Sequence, residues 1–110
     1  MERVVLVYTT YPSLVEAEKC GRAIVEQRLA ACVNILPGMI SHYWWDGQIE
    51  RGEEVVMIVK TRASFSDRVR KALKGSHPNT TPAILVLPVE MVEDTYLRWL
   101  MKETDRAPIK

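Results

Sequence analysis

Cysteine is scarce in this chain of 110 residues, which has only Cys20 and Cys32. Two cysteines cannot build the disulfide framework of a small secreted domain, and no Cys-x-x-Cys pair indicates a zinc or redox site. Charge of one sign is not in excess either, because 15 Lys and Arg stand against 14 Asp and Glu, a formal net charge of +1. Such a balance gives no overall attraction to nucleic acid or to an anionic membrane.

Long hydrophobic runs are also missing. The uncharged stretches 4–15, 29–45 and 75–89 all contain proline and fall short of the ~20 residues of a membrane-spanning helix. The apolar run 4–7 is too short for a signal peptide, so we expect a cytoplasmic protein with no membrane partner. With 47% hydrophobic and 26% charged residues, the composition is that of a folded protein, and we assign residues 1–110 to a single domain.

Apolar periodicity and turn residues predict the order β-α-β-β-α-β followed by a C-terminal helix. The predicted strands are residues 4–10, 31–36 with an extension over 40–45, 48–61 with a break at 50–54, and 83–87, and the predicted helices are residues 14–27, 64–75 and 94–103. This order is typical of the ferredoxin-like α+β fold, in which helices cover one face of a four-stranded antiparallel sheet.

Local signals predict where the elements begin and end. Ser13, three residues before Glu16, is typical of a capping box at the start of a helix. Asp46-Gly47 predicts a two-residue turn and therefore a hairpin arm, because both residue types tolerate positive φ. Ser64 and Gly75 are predicted to begin and end the second long helix.

The uncovered face of such a sheet should be polar where it meets water. In the first strand, however, Leu6 and Tyr8 share one side while Val5 and Val7 share the other, so both sides are apolar. A monomer would expose more apolar surface than soluble proteins usually tolerate. We therefore expect copies of the chain to bury one another's sheets, with the aromatic residues 43–45 clamped between subunits. A ligand-stacking role is the alternative for this aromatic run, and the interface role is favoured because Trp and Tyr are frequent interface anchors. Irregular packing under loops is the alternative to assembly.

Several segments resemble one known family, in the same order and over nearly the whole chain. The matching segments are residues 7–12 (VYTTYP), 28–38 (RLAACVNILPG), 43–47 (YWWDG), 59–61 (VKT), 77–78 (HP), 81–82 (TP) and 96–100 (YLRWL). On these motifs the chain resembles the CutA family of divalent-cation tolerance proteins. The resemblance implies a ferredoxin-like subunit in a cytoplasmic homotrimer that is linked to tolerance of copper and other divalent cations.

The chain departs from the family pattern at three positions. Copper binding in some family members involves a thiol on the first strand and two adjacent histidines. Tyr8 stands at the thiol position here, and Ser76 precedes the single His77. The usual His-Pro-Tyr of the second loop is His-Pro-Asn here, so Asn79 replaces a tyrosine.

Cys32 and His77 are the candidate metal ligands. A thiolate suits Cu⁺ and Zn²⁺, and imidazole is a common borderline ligand. The alternatives are that Cys32 is a small hydrophobe and that His77 caps a helix or bonds a neighbouring subunit. Cys20 lies in the apolar stripe of the first helix and is expected in the core. A metal site takes three or four donors, so carboxylates or another chain must complete this one. The available carboxylates are Asp46, Glu50, Glu53, Glu54 and Asp67, and the sequence does not indicate which of them take part. We expect weak binding of Cu²⁺ or another divalent cation at a site shared between subunits.

Three other functions deserve comparison. A trimeric signalling protein would bind a small metabolite or nucleotide at subunit clefts. The candidate anion ligands, which lie near strand ends, are Arg28, Lys60, Arg62 and His77, although no Gly-rich phosphate loop is present. An RNA-recognition module would carry aromatic residues on its central strand, and residues 55–59 have none, so no nucleic-acid partner is expected. An enzyme built on the same cysteine and histidine would need orienting groups that the pattern lacks, and no enzymatic activity is expected.

Overall fold

A computed structural model describes residues 2–105, so Met1 and residues 106–110 of the predicted domain lie outside it. The elements are β1 (Val4–Tyr11), α1 (Leu14–Glu26), β2 (Cys32–Trp45), β3 (Gln48–Arg62), a 3₁₀ turn (Ala63–Phe65), α2 (Ser66–Ser76), β4 (Ile84–Pro88) and α3 (Asp94–Thr104). The strands form one antiparallel sheet in the order β2-β3-β1-β4. This is the predicted ferredoxin-like α+β fold.

Helices α1 and α2 cover one face of the sheet. Their buried stripe consists of Ala17, Cys20 and Ile24 from α1 with Val69 and Leu73 from α2. These side chains pack on the alternate residues of β1 and β3 that point toward them, which places Cys20 in the core as predicted. Burying one aliphatic side chain of this size contributes about 1.5–3 kcal/mol, so this layer makes a large contribution to the stability of the folded chain. No helix within residues 2–105 has the length and apolar character to cross a membrane.

The start of α1 follows the predicted capping signal. The Ser13 hydroxyl accepts a hydrogen bond from the Glu16 backbone N–H over 3.3 Å, which satisfies one of the free donors of the first turn. The Glu16 carboxylate accepts from the Ser13 hydroxyl at 3.0 Å. In a full capping box, the Glu16 carboxylate would accept a hydrogen bond from the Ser13 backbone N–H. Here it accepts from the Ser13 side chain instead.

The predicted interruption of the second strand is wrong. β2 runs through Pro37-Gly38, which form a bulge and not an end. Leu36 pairs with Val56, and the next pair is Met39 with Glu54, so two residues of β2 stand opposite one residue of β3. The proline is tolerated because β2 is an edge strand, and Gly38 adopts a φ of +89°.

The predicted break of the third strand at residues 50–54 is also wrong. β3 leaves its partner β1 at Val55, and beyond that point residues 39–54 form a two-stranded arm. Charged side chains are tolerated there because both faces of a two-stranded ribbon reach water. The arm closes at Asp46-Gly47, whose φ values of 52° and 79° confirm the predicted turn.

The second long helix begins later than predicted because Ser64 forms hydrogen bonds with a residue far away in the sequence. This serine lies in the 3₁₀ turn, and its N–H and hydroxyl donate to the Glu2 carboxylate at 2.8 and 3.0 Å. Burial opposes the ionisation of Glu2. The hydrogen bonds from Ser64 and the charge of the Arg62 guanidinium nevertheless hold the pKa of Glu2 below its usual range. Gly75 lies inside α2, which ends at Ser76, and so does not follow the helix as predicted.

The sheet face opposite α1 and α2, which we call the open face, is apolar as predicted. Register places Leu36, Ile58 and Leu85 on it together with Leu6 and Leu87. Leu36, Leu85 and Leu87 are about half exposed. Helix α3 covers the other end of this face, where Lys60 and Arg62 of β3 contact it. An exposed apolar surface therefore remains between α3 and the arm.

Two helical glycines provide a test of core packing. A Cβ at Gly21 would lie 2.8 Å from Met57 Sδ and 3.0 Å from Val33 Cγ2, whereas one at Gly75 would meet nothing within 4 Å. We expect Gly21→Ala to lower the free energy of unfolding by about 1–3 kcal/mol through overpacking. Gly75→Ala should raise it by about 0.5 kcal/mol through helix propensity. Urea denaturation measures both, and equal effects would contradict the tight α1–β3 contact.

Candidate functional site

A cleft of about 730 Å³ opens on the open face, where the arm leaves the sheet. Tyr8 and Thr10 of β1 line it from the sheet. The arm lines a second side, and the segment 78–83, between α2 and the start of β4, lines a third. The cleft is therefore built by three parts of the chain that are distant in sequence.

The bulge decides which arm residues reach the cleft. Directly paired residues of an antiparallel sheet point to the same face. Met39 pairs with Glu54, and Tyr43 and Trp45 follow with the same parity, so all of them share the face of Tyr8. The Tyr8 hydroxyl is 3.5 Å from Met39 Sδ and donates to it, linking β1 to the arm.

His77, a predicted metal ligand, holds the segment 78–83 against β1. Its Nε2 lies 2.7 Å from the Thr10 carbonyl oxygen, and the Asn79 N–H donates to its Nδ1 over 3.1 Å. Because a carbonyl can only accept, Nε2 carries the proton and Nδ1 holds the lone pair. Both ring nitrogens of the neutral imidazole are thus engaged, and His77 is a positioning residue for one wall of the cleft.

Tyr11 supports the His77 ring from the core. The two rings are stacked, with centroids 4.4 Å apart and an interplanar angle of 15°. Tyr11 is fully buried, and burial together with the neighbouring Cys20 thiol raises the pKa of its phenol far above the physiological range. The phenol is therefore neutral, and its ring serves as a rigid apolar platform. An aromatic pair of this kind contributes about 0.5–1.5 kcal/mol beyond area burial.

Cys32, the other predicted ligand, lies elsewhere on the open face. It pairs with Lys60, four residues along β3 from the partner of Thr10, which is roughly 13 Å of extended strand. Its partly exposed sulfur accepts a long hydrogen bond of 3.8 Å from the Asn34 amide. One chain does not bring Cys32 and His77 together. Within the described part of the chain, no group of three or more His, Cys, Asp and Glu side chains is placed to hold a metal ion.

Of the four groups considered for an anionic ligand, His77 binds the Thr10 carbonyl and the other three contact α3. Arg28, which has a φ of +61° just after α1, forms an ion pair with Glu103. Arg62 donates to the Thr104 hydroxyl at 2.9 Å, and Lys60 lies over an aromatic ring of α3. None of the three cations is among the described residues that line the cleft. Their role in this structure is to fasten α3 to the sheet.

Glu54 is a cleft residue that the sequence offered only as one of five carboxylates available to a metal site. It is half-buried, and no Lys, Arg or His nitrogen in residues 2–105 lies within ion-pair distance of its carboxylate. In the sequence it is one member of the charged run 50–54. Its parity with Val56 and Ile58, which places it on the open face, is the signal that distinguishes it from its neighbours.

Sequence comparisons with known proteins point to one family. A family model described as CutA1 divalent ion tolerance protein matches residues 5–103. The divalent-cation tolerance protein CutA of Archaeoglobus fulgidus is 45% identical over 94 residues, which cover 86% of this chain and 91% of that protein. The CutA protein of Thermus thermophilus is 41% identical over 104 residues, with 94% and 99% coverage.

Solved structures agree with the sequence matches. The crystal structure of CutA1 from Ehrlichia chaffeensis superimposes with a TM-score of 0.90 at 29% identity, covering 94% of this chain and 97% of that one. The structure of CutA from Archaeoglobus fulgidus, described as periplasmic, gives a TM-score of 0.88 at 42% identity, with 92% and 98% coverage. The shared fold thus includes every strand that lines the cleft.

The contacts of His77 predict how the cleft wall responds to its removal. In His77→Ala the Asn79 N–H loses its acceptor, and we expect its amide hydrogen exchange to become about tenfold faster, as the loss of one hydrogen bond implies. His42→Ala is the matched control, because His42 lines the cleft from the arm. Unchanged exchange at Asn79 in the His77 variant would contradict the assigned contact.

Proposed function

Because the chain belongs to the CutA1 divalent ion tolerance protein family, we propose that it acts in divalent-cation tolerance as a cytoplasmic homotrimer that binds Cu²⁺ or another divalent cation weakly. The proposed role is binding, with no catalytic step. The cytoplasmic location rests on the expectation from the sequence, where the apolar run 4–7 is too short for a signal peptide, whereas the related Archaeoglobus fulgidus protein is described as periplasmic.

The open face is the observation that supports the assembly. Its half-exposed leucines lie beside an arm on which Trp44 and Trp45 are 72% and 59% exposed. Contiguous apolar surface of this kind marks an interface, and tryptophan is a frequent anchor at the centre of one. A cyclic arrangement of three copies closes on itself and leaves no unpaired copy of the face.

Light scattering at micromolar concentration tests the trimer. We expect three times the chain mass of 12.6 kDa. Leu85→Glu should give a folded monomer, because it places a charge on the open face. Val15→Glu is the matched control, since Val15 is 77% exposed on α1, on the other side of the sheet. A monomeric parent protein, or dissociation of the Val15 variant alone, would contradict the proposed interface.

The tautomer of His77 supports weak metal binding. Metal-ligating histidines commonly donate their other ring N–H to a backbone carbonyl, as Nε2 does to Thr10. A metal ion at Nδ1 must displace the Asn79 N–H, at a cost of about 0.5–1.5 kcal/mol for one hydrogen bond. One chain supplies too few nearby donors, so we propose that a second subunit completes the site, with the Cys32 thiol as its soft donor.

Calorimetry with Cu²⁺ tests this site. We expect a dissociation constant of about 1 μM or weaker, equivalent to roughly 8 kcal/mol or less. His77→Ala should weaken binding about tenfold or more, and Cys32→Ala less, because imidazole suits Cu²⁺ whereas a thiolate selects Cu⁺.

The chain offers a control for this titration in its other histidine. His42→Ala removes an exposed imidazole and should leave Cu²⁺ affinity unchanged. Equal losses in the two histidine variants would indicate adventitious surface binding. Undiminished affinity in His77→Ala would remove His77 from the site.

A further inference from the structure

Two hydroxyl groups lie beside the Cys20 thiol, on the helical side of the sheet. Ser76 Oγ is 3.1 Å from Cys20 Sγ, and the Tyr11 hydroxyl neighbours the same sulfur. We propose that Cys20 is a site of reversible oxidation by hydrogen peroxide or another small hydroperoxide, which converts its thiol to a sulfenic acid that the Tyr11 hydroxyl stabilises. Cys20 is not one of the candidate metal ligands, so this chemistry does not depend on metal binding.

A groove between α1 and α2 leads from the surface to this thiol. Cys20 and Ser76 line it together, with Lys19 and Gln27 among the polar residues around them. Cys20 itself is 9% exposed, but Ser76, one hydrogen bond away, is an exposed residue. A hydroperoxide as small as hydrogen peroxide can therefore approach the sulfur. The groove lies on the opposite side of the sheet from the open face, so the assembly that we propose does not cover it.

The Tyr11 hydroxyl is the observation that points to an oxygen atom on this sulfur. Tyr11 is fully buried, and its hydroxyl has no hydrogen-bond partner among the described residues. Native structures rarely leave a buried polar group unpaired, because the lost hydration is not repaid. An oxygen bonded to Cys20 Sγ would lie next to this hydroxyl and would accept its hydrogen bond. The oxidised protein thus gains a hydrogen bond that the reduced protein lacks.

Ser76 sets the direction of the thiol hydrogen. Its own hydroxyl donates to the Ala72 carbonyl oxygen at 3.0 Å, so its Oγ is left as an acceptor for the Cys20 S–H. The Ser76 carbonyl oxygen, 3.9 Å from the sulfur, is a second and weaker acceptor. Both acceptors belong to Ser76, so the thiol hydrogen points toward this residue and the sulfur lone pairs point away from it.

The oxidation is a two-electron step. The sulfur forms an S–O bond as the O–O bond of the peroxide breaks, and the sulfur loses two electrons to the peroxide. The thiol proton leaves with the departing hydroxide, which for hydrogen peroxide gives water. A first external thiol then forms a mixed disulfide with Cys20 and releases water, and a second external thiol restores the free cysteine.

The second cysteine of the chain cannot resolve this sulfenic acid. Cys32 lies on the open face, whereas Cys20 packs in the core on the other side of the sheet. A sulfenic acid without a thiol nearby persists until an external thiol reaches it. The expected product is therefore a persistent sulfenic acid and not a disulfide within the chain.

Trapping with dimedone, a reagent for sulfenic acids, tests the proposal. Cys32→Ser leaves Cys20 as the one cysteine of the chain, and the assembled variant is treated with hydrogen peroxide in the presence of EDTA. Catalase stops the reaction, and dimedone is added in urea after increasing delays, so that access of the label is equal in every sample. Peptide mass spectrometry should locate the adduct at Cys20. Dithiothreitol added before dimedone should abolish it.

Two buried hydroxyls on β1 provide matched variants in the Cys32→Ser background. Tyr11→Phe keeps the ring that stacks on His77 and removes the hydroxyl. We expect it to shorten the lifetime of the sulfenic acid about tenfold, as the loss of one hydrogen bond implies. Thr9→Val removes a second fully buried hydroxyl that has no partner among the described residues, two positions along the same strand. It should leave the lifetime unchanged, and circular dichroism confirms that both variants are folded.

Three outcomes would overturn the proposal. An adduct that forms only when the protein is unfolded before peroxide is added would mean that the folded chain shields the thiol. Equal lifetimes in Tyr11→Phe and its parent would mean that the phenol does not bind the new oxygen. An equal loss in Tyr11→Phe and Thr9→Val would mean that a loosened core, and not the Tyr11 hydroxyl, sets the lifetime.

Discussion

The bulge at Pro37-Gly38 is the constraint on which the cleft depends. Side chains alternate along a strand with a period of two, so one extra residue moves every later side chain to the opposite face. With the bulge, Met39 meets Tyr8, and the aromatic residues at 43 and 45 follow on the same side. Without it, His42 and Trp44 would occupy that side instead. The arm would still form, but different side chains would face β1.

His77 connects the core to the cleft. Its ring rests on buried Tyr11, and its two nitrogens bind the backbone of Thr10 and Asn79. A metal ion at Nδ1 and the Asn79 hydrogen bond exclude each other, because both use the same lone pair. The metal binding that we propose at this histidine would therefore oppose order in the segment 78–83.

Charge on the open face is divided between two regions. At the α3 end, Arg62 binds Thr104 and the Met101 carbonyl, while Arg28 pairs with Glu103. These cations are therefore paired with groups of the same chain. At the arm end, the Glu54 carboxylate has no such partner among the described residues. Between the two regions lies the exposed leucine surface that we propose for assembly, so one face carries the contacts with α3, the proposed interface and the cleft that contains Glu54.

The order of strands and helices, the turn at Asp46-Gly47, the start of α1 at Ser13 and the family were all predictable from sequence. Each of these depends on residues close together in the chain, where periodicity and turn chemistry act directly. Cys20 was predictable in the core for the same reason, since it belongs to the apolar stripe of one helix.

The tertiary structure decided what depends on partners far away in the chain. Ser64 does not begin a helix because Glu2 takes its N–H and hydroxyl. In the sequence, Pro37-Gly38 is typical of a strand end. In the folded chain β2 pairs with β3 on both sides of these residues, so they form a bulge. Only the strand register shows that Glu54, unlike its charged neighbour Glu53, lies on the open face. His77 positions the cleft wall only because the folded chain brings Thr10 and Tyr11 next to it. Register and long-range contacts are properties of the folded chain, which local sequence patterns do not encode.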